Sequence, residues 1–196
     1  MHILATARLS LRTVAPGDAA FYLALVNDPA FVEHIGDRGI RTLDDAHEAL
    51  LAGPIAMQDA RGHSLYVVEL AGQGIPIGMC GLIKRDSLDH VDIGYAFLPA
   101  WRGQGYACEA GLAVLGHAPE LGIRRVVAIT SPNNIASNFL LRKMGLRFER
   151  FVHLAPDDAG SNLYSIDLVP APGGDPLPRI MNALEALNPQ GGPAYR

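Results

Sequence analysis

Apolar and polar positions alternate along Arg8-Leu9-Ser10-Leu11-Arg12-Thr13-Val14, the two-residue period of a strand with one buried face. Pro16 then suits a helix start, with Asp18 in its first turn, and Ala20, Leu23, Ala24 and Leu25 recur at helical spacing. Thr42-Leu43-Asp44-Asp45 opens a further helix through Leu51, expected to stop at Gly53-Pro54. Strand-like runs follow at Ser64 to Leu70, Ile75 to Ile83 and Val91 to Leu98. The spacers between them, Ala71-Gly72-Gln73-Gly74 and Asp86-Ser87-Leu88-Asp89, are short and favour antiparallel hairpins.

A helix is predicted from Gly105 to about His117 and a β-branched strand from Arg124 to Thr130. A second helix is expected over Asn134 to Met144, then strands over Arg147 to Leu154 and Asn162 to Val169. Strand, helices, three strands, helix, strand, helix and two strands make an α/β domain with a mixed sheet. The domain is expected to span residues 1–169. Pro170, Pro172, Gly173, Gly174, Pro176 and Pro178 then read as a linker opening a segment over 170–196. Ile180, Met181, Ala183, Leu184 and Leu187 form one apolar helical stripe there, suited either to packing on its own domain or to a homodimer contact.

Composition narrows the function. Hydrophobic residues make up 49% of the 196 and charged residues 18%, enough for a sizeable core. The net charge of −4 argues against nucleic-acid and membrane-surface partners, which call for a basic patch. The first residues lack the apolar run of a signal peptide and no segment reads as a membrane span, so a cytoplasmic enzyme is expected. Cys80 and Cys108 have no metal-type spacing, the histidines recur at no ligand spacing, and no metal is expected.

Candidate chemistry begins in the strand Val91 to Leu98. Period two puts Val91, Ile93, Tyr95 and Phe97 on one face, read as core, and Asp92, Gly94, Ala96 and Leu98 on the other. Gly94 and Ala96 leave that second face nearly bare, as where a ligand approaches the backbone closely. Arg102-Gly103-Gln104-Gly105-Tyr106-Ala107 runs from this strand into a helix. Small residues there leave the helix's first N–H groups uncovered, and those donors attract phosphate oxygens; Arg102 adds a charge. A dinucleotide-binding loop would need a third glycine where Cys108 stands, and a parallel unit opening the domain. Asn134 suits a helix N-cap, and Ser137, one turn on, can face the same cleft. Glu109 reads as an ordinary first-turn acid, and His153 with Asp157-Asp158 as a solvated loop or a contact for substrate.

Together these segments resemble the GNAT superfamily of N-acetyltransferases, most closely its branch of ribosomal-protein N-terminal acetyltransferase-like enzymes. The signature R/Q-x-x-G-x-G/A is met by Arg102, Gly105 and Ala107, and the later N-x-x-S and K-x-G by Asn134, Ser137, Lys143 and Gly145. Arg8-Leu9-Ser10-Leu11-Arg12 and the stretch Gly78 to Asp86 are similar to that branch too. The resemblance implies a GNAT-like fold: a mixed, mostly antiparallel sheet flanked by helices and splayed open between the Asp92 strand and the next. It implies acetyl-CoA as acyl donor, its pyrophosphate on the backbone of Gln104 through Ala107 and its pantetheine arm in the gap. The cofactor-binding set it implies is Phe97, Leu98, Arg102, Gly103, Gln104, Gly105, Tyr106, Ala107, Asn134 and Ser137. The helix tyrosine that protonates the leaving thiolate in many members is replaced here by Leu141.

An amine near pKa 8 to 10 is mostly protonated at neutral pH, so acetyl transfer needs a proton acceptor. Asp92 is the candidate base and Ser137 the candidate for assisting the thiolate. The acceptor is expected to be a small amine or a protein N-terminus. A non-catalytic CoA-binding module and a transferase of a longer acyl group are the alternatives.

Overall fold

Leu9 pairs with Leu70 and Leu11 with Val68 in antiparallel register, which fixes the opening alternation as a central strand. The computed structural model describes residues 1–155 and 158–168. The strands are β1 (His2–Ala5), β2 (Leu9–Thr13), β3 (Leu65–Leu70), β4 (Pro76–Ile83), β5 (Val91–Phe97), β6 (Arg125–Thr130), β7 (Arg147–Val152) and β8 (Ser161–Asp167). The helices are α1 (Ala19–Val26), α2 (Pro29–His34), α3 (Leu43–Leu50), α4 (Ala56–Arg61), α5 (Tyr106–His117) and α6 (Ile135–Lys143).

The strands form one eight-stranded sheet in the order β1-β2-β3-β4-β5-β6-β8-β7. Neighbours are antiparallel except β5 and β6, which run parallel. On one face Leu9, Leu11, Tyr66, Ile93 and Phe97 pack against Ala110 and Val114 of α5 and against Leu141 and Met144. A Cβ on Gly111 would lie 2.2 Å from the Met144 sulfur, so the glycine lets α5 approach the end of α6. On the other face Val67 and Met79 pack under Leu25 of α1 and Leu50 of α3.

Two sequence expectations need correction. Gly53-Pro54 does not end the helix begun at Leu43: a π turn over Leu51–Ile55 absorbs the proline, and α4 continues to a left-handed stop at Gly62. The wider turn accommodates a residue without an N–H, which an unbroken α-helix tolerates poorly. The alternation also gave no sign of β1 or α2. Yet α2 carries its own start signal: Pro29 sits at its first position, and the Asp28 carboxylate accepts from the N–H groups of Ala30 and Phe31. The proposed segment 170–196, with its linker and apolar stripe, lies outside the described residues. Among the described residues no helix is long and apolar enough to cross a membrane.

Candidate active site

The site is created by a failure of pairing. β5 and β6 meet only at Val91–Val126 and Asp92–Val127. From Ile93 onward they share no paired residues, so the β5 backbone on that side lacks strand partners. A cleft of about 740 Å³ occupies the divergence. It brings together Asp92, Phe97, Arg102, Gly103, Gly105, Tyr106, Ala107, Asn134 and Ser137, while Leu98 and Gln104 lie outside its lining. Leu98 is instead packed beside Val14 and Leu25, and its N–H donates to the Ile77 carbonyl.

Gly105 forms the start of α5 with φ +84°, a left-handed conformation costly for a residue with a Cβ. No side chain caps this helix. Its first N–H groups therefore keep donor capacity, and the helix dipole adds to their attraction for an anion. Gln104 folds back, its side-chain amide donating to the Ala100 carbonyl at 2.8 Å.

The Arg102 charge is directed differently from the sequence expectation. Its Nε donates to the Phe97 carbonyl at 2.8 Å and its Nη2 to Asp28, the residue that caps α2. Arg102 thus ties the end of β5 to α2. Arg8 approaches the loop instead: it donates to the Gln104 carbonyl at 3.1 Å and stacks 4.5 Å from the Tyr106 ring centre. Glu109, only 1% exposed, holds Arg8 Nε and Nη2 at 2.6 Å and also accepts from Thr6 and the Arg8 N–H. What reads in sequence as an ordinary first-turn acid is the bracket between the β1–β2 turn and the loop.

Asp92 is 1% exposed. Its Oδ2 accepts from Arg85 Nε at 2.6 Å, and its Oδ1 has no hydrogen-bond partner among the described residues. Burial pushes its pKa up to about 6, although Arg85 and the nearby Ile129 N–H favour the charged form. The face it shares with Gly94 and Ala96 opens on the cleft, which both small residues line. A Cβ on Gly94 would meet Ile83 Cδ1 at 2.9 Å and Leu65 Cδ2 at 3.5 Å, and Ala96 packs with the Val67–Met79 cluster. Neighbouring aliphatic side chains take up part of the space the small residues leave, and strand divergence widens the opening.

Across the cleft, the Asn134 side chain caps α6 by accepting from the Ser137 N–H at 3.0 Å. The Ser137 hydroxyl lies 2.8 Å from the Tyr95 hydroxyl. Tyr95 packs against the α5-side core, as its strand position predicts, but its polar end reaches the site. Leu141 is 1% exposed and belongs to that core. His153 pairs with Asp158 at 3.0 Å outside the cleft lining, and Asp157 lies outside the described residues.

Comparison with known proteins agrees with this geometry. Residues 8–147 match the family model described as the acetyltransferase (GNAT) domain. The chain therefore belongs to the GNAT acetyltransferase family. It is 38% identical over 61 residues to the uncharacterized N-acetyltransferase YnaD of Bacillus subtilis, a match covering 31% of this chain and about a third, 36%, of that protein. It is 27% identical over 174 residues to the uncharacterized N-acetyltransferase YoaA of the same organism, covering 84% of this chain and 96% of that one. A solved acetyl transferase from Salmonella typhimurium, which modifies the N-terminal serine of a 50S ribosomal subunit protein, superimposes with a TM-score of 0.72 at 19% identity. That superposition covers 85% of this chain and 99% of the other, a likeness of fold.

Proposed function

We propose that this chain transfers an acetyl group from acetyl-CoA to a primary amine, a protein N-terminus or a small amine. The observation that carries the reading is Asp92, a buried carboxylate at the strand divergence with one oxygen held by Arg85 and the other unpartnered. A carboxylate with a raised pKa is a better proton acceptor for an ammonium than a solvated one.

The uncapped start of α5 fits a pyrophosphate. Gly103, Gly105, Tyr106 and Ala107 would hold it through backbone N–H groups, with Arg102 and Gln104 flanking. The gap between β5 and β6 fits a narrow pantetheine arm running past Phe97 towards Asn134 and Ser137. When bound, the thioester supplies an activated acetyl carbonyl. Asp92 takes the amine's proton, directly or through one water. An unpaired β5 N–H would polarise that carbonyl. The Ser137 hydroxyl donates to sulfur as the C–S bond breaks and its electron pair passes to sulfur. The amine nitrogen bonds to the acetyl carbon as sulfur leaves. The ammonium gives one proton to Asp92 and the nitrogen sheds a second to water as the amide forms, while Asp92 returns its proton to solvent and the thiolate takes one from solvent. Holding the amine against the thioester contributes beside these groups.

A protein N-terminus as acceptor accords with the reaction of the Salmonella protein. The test is turnover of acetyl-CoA against a panel of peptide N-termini and small amines, read as free thiol and as amide product. Amide formation with at least one acceptor supports the reading. CoA binding with no turnover of any amine would replace it with a CoA-binding module, and preference for a longer acyl-CoA would correct the acyl group.

A further inference from the structure

Leu141 leaves the thiolate side of the reaction without a helix tyrosine, and Ser137 alone is a loosely held group. A serine hydroxyl on its own rotates among three staggered positions, only some of which aim its proton usefully. In this chain the Ser137 oxygen is engaged from outside its helix. The Tyr95 hydroxyl, carried on β5, lies 2.8 Å from it.

We propose that Tyr95 is a positioning residue for the transfer: its phenol donates to the Ser137 oxygen and leaves the serine's own proton aimed at the departing sulfur. The inference rests on the role given to Ser137 above. A phenol is the stronger acid of the two hydroxyls and so the stronger donor. Burial, the largest influence on it, raises Tyr95 well above an ordinary phenol, so the group keeps its proton at neutral pH. The Asn134 side chain holds the Ser137 N–H at 3.0 Å, which fixes the backbone carrying the hydroxyl. With one lone pair occupied by Tyr95, the serine proton is free for the cleft.

The same burial argues against Tyr95 as the net proton source. A thiol of ordinary pKa near ~8.5 leaves stably as a hydrogen-bonded anion, and a proton from a buried phenol would move strongly uphill. The thiolate's proton therefore comes from solvent after the C–S bond has broken, and Tyr95 ends the cycle as it began.

The test is a double-variant cycle on the full chain: Tyr95→Phe, Ser137→Ala and both together, with acetyl-CoA and an accepted amine. Phenylalanine keeps the buried ring, and a melting curve for each variant checks that the fold is retained. Tyr95→Phe should lower kcat about three- to tenfold, the range of one neutral hydrogen bond, with KM for acetyl-CoA changed less than about twofold. In the Ser137→Ala background it should cost nothing further. If the two losses multiply, or if Tyr95→Phe acts on KM rather than kcat, Tyr95 does not work through Ser137. Absence of turnover in the parent with every amine would instead refute the proposed activity itself, so the two failures are distinct.

Discussion

Asp92 and Tyr95 stand three positions apart on β5 and therefore project to opposite faces of the sheet. The carboxylate reaches Arg85 on one side of the strand divergence, and the phenol reaches Ser137 of α6 on the other. A strand whose side chains alternate thus places a carboxylate and a pair of hydroxyls on the two sides of one gap. In the proposed reaction, removing a proton from nitrogen and stabilising sulfur are separate tasks, and the sheet keeps the groups proposed for them apart.

The first prediction concerns pH. With the Asp92 pKa pushed up to about 6, kcat/KM should rise with pH through that value as the base ionises. Asp92→Asn should remove this limb and lower kcat/KM at least about tenfold at pH 8. Because Arg85 favours the charged form, Arg85→Met should move the limb to higher pH. Rate profiles of the three proteins decide it; an unchanged limb in Asp92→Asn would assign the titration elsewhere.

The second prediction is that the base weakens the fold. Its folded pKa, about 6, lies above the ordinary value of 3.8, so the folded protein prefers the neutral acid. The associated stability is fully present below about pH 4 and is lost as pH rises through 6. Asp92→Asn removes the buried charge while keeping an acceptor for Arg85. It should therefore be more stable than the parent at pH 8, by on the order of 1–3 kcal/mol, with the gap closing near pH 4. Thermal melts at both pH values measure this, and a variant less stable at pH 8 would mean that the ion pair outweighs the burial.

The third prediction addresses the start of α5. A Cβ on Gly105 would lie 3.4 Å from Arg8 Nη2, and the φ of +84° strains any β-branched residue. Millimolar CoA should raise the Tm of the parent, and Gly105→Val should melt cooperatively yet lose that rise. Parental affinity for CoA in a folded variant would move the phosphate site away from this helix.

The fourth concerns the bracket behind it. Arg8 and Glu109 touch the loop rather than the thioester end of the cleft. Arg8→Met should reduce kcat/KM for acetyl-CoA about tenfold but change that for S-acetylpantetheine, which lacks the pyrophosphate, less than twofold. Equal losses with both donors would show that the bracket supports the whole site.

Legibility in the sequence followed the range of the interaction. The Gly103–Ala107 turn was visible because the residues that expose the helix start are contiguous. The core face of β5 was visible because period two is local. Tyr95 was placed on the correct face but read only as core, since its hydroxyl meets Ser137 across a gap that exists only in the folded sheet. Glu109 was read as a first-turn acid because its partner Arg8 lies 101 residues away. Asp28-Pro29 is a local helix-start signal, but the second bond of Asp28, to Arg102, spans 74 residues. Gly53-Pro54 carries the local marks of a helix ending, which the π turn overrides.

The most direct measurement pairs two readouts in one reaction: free thiol released from acetyl-CoA, and acetylated amine identified by mass. The account predicts one acetylated amine per thiol released, at a rate reduced at least about tenfold in Asp92→Asn, with CoA still bound by that variant. Thiol release without acetylated product, or parental rates in Asp92→Asn, would contradict it.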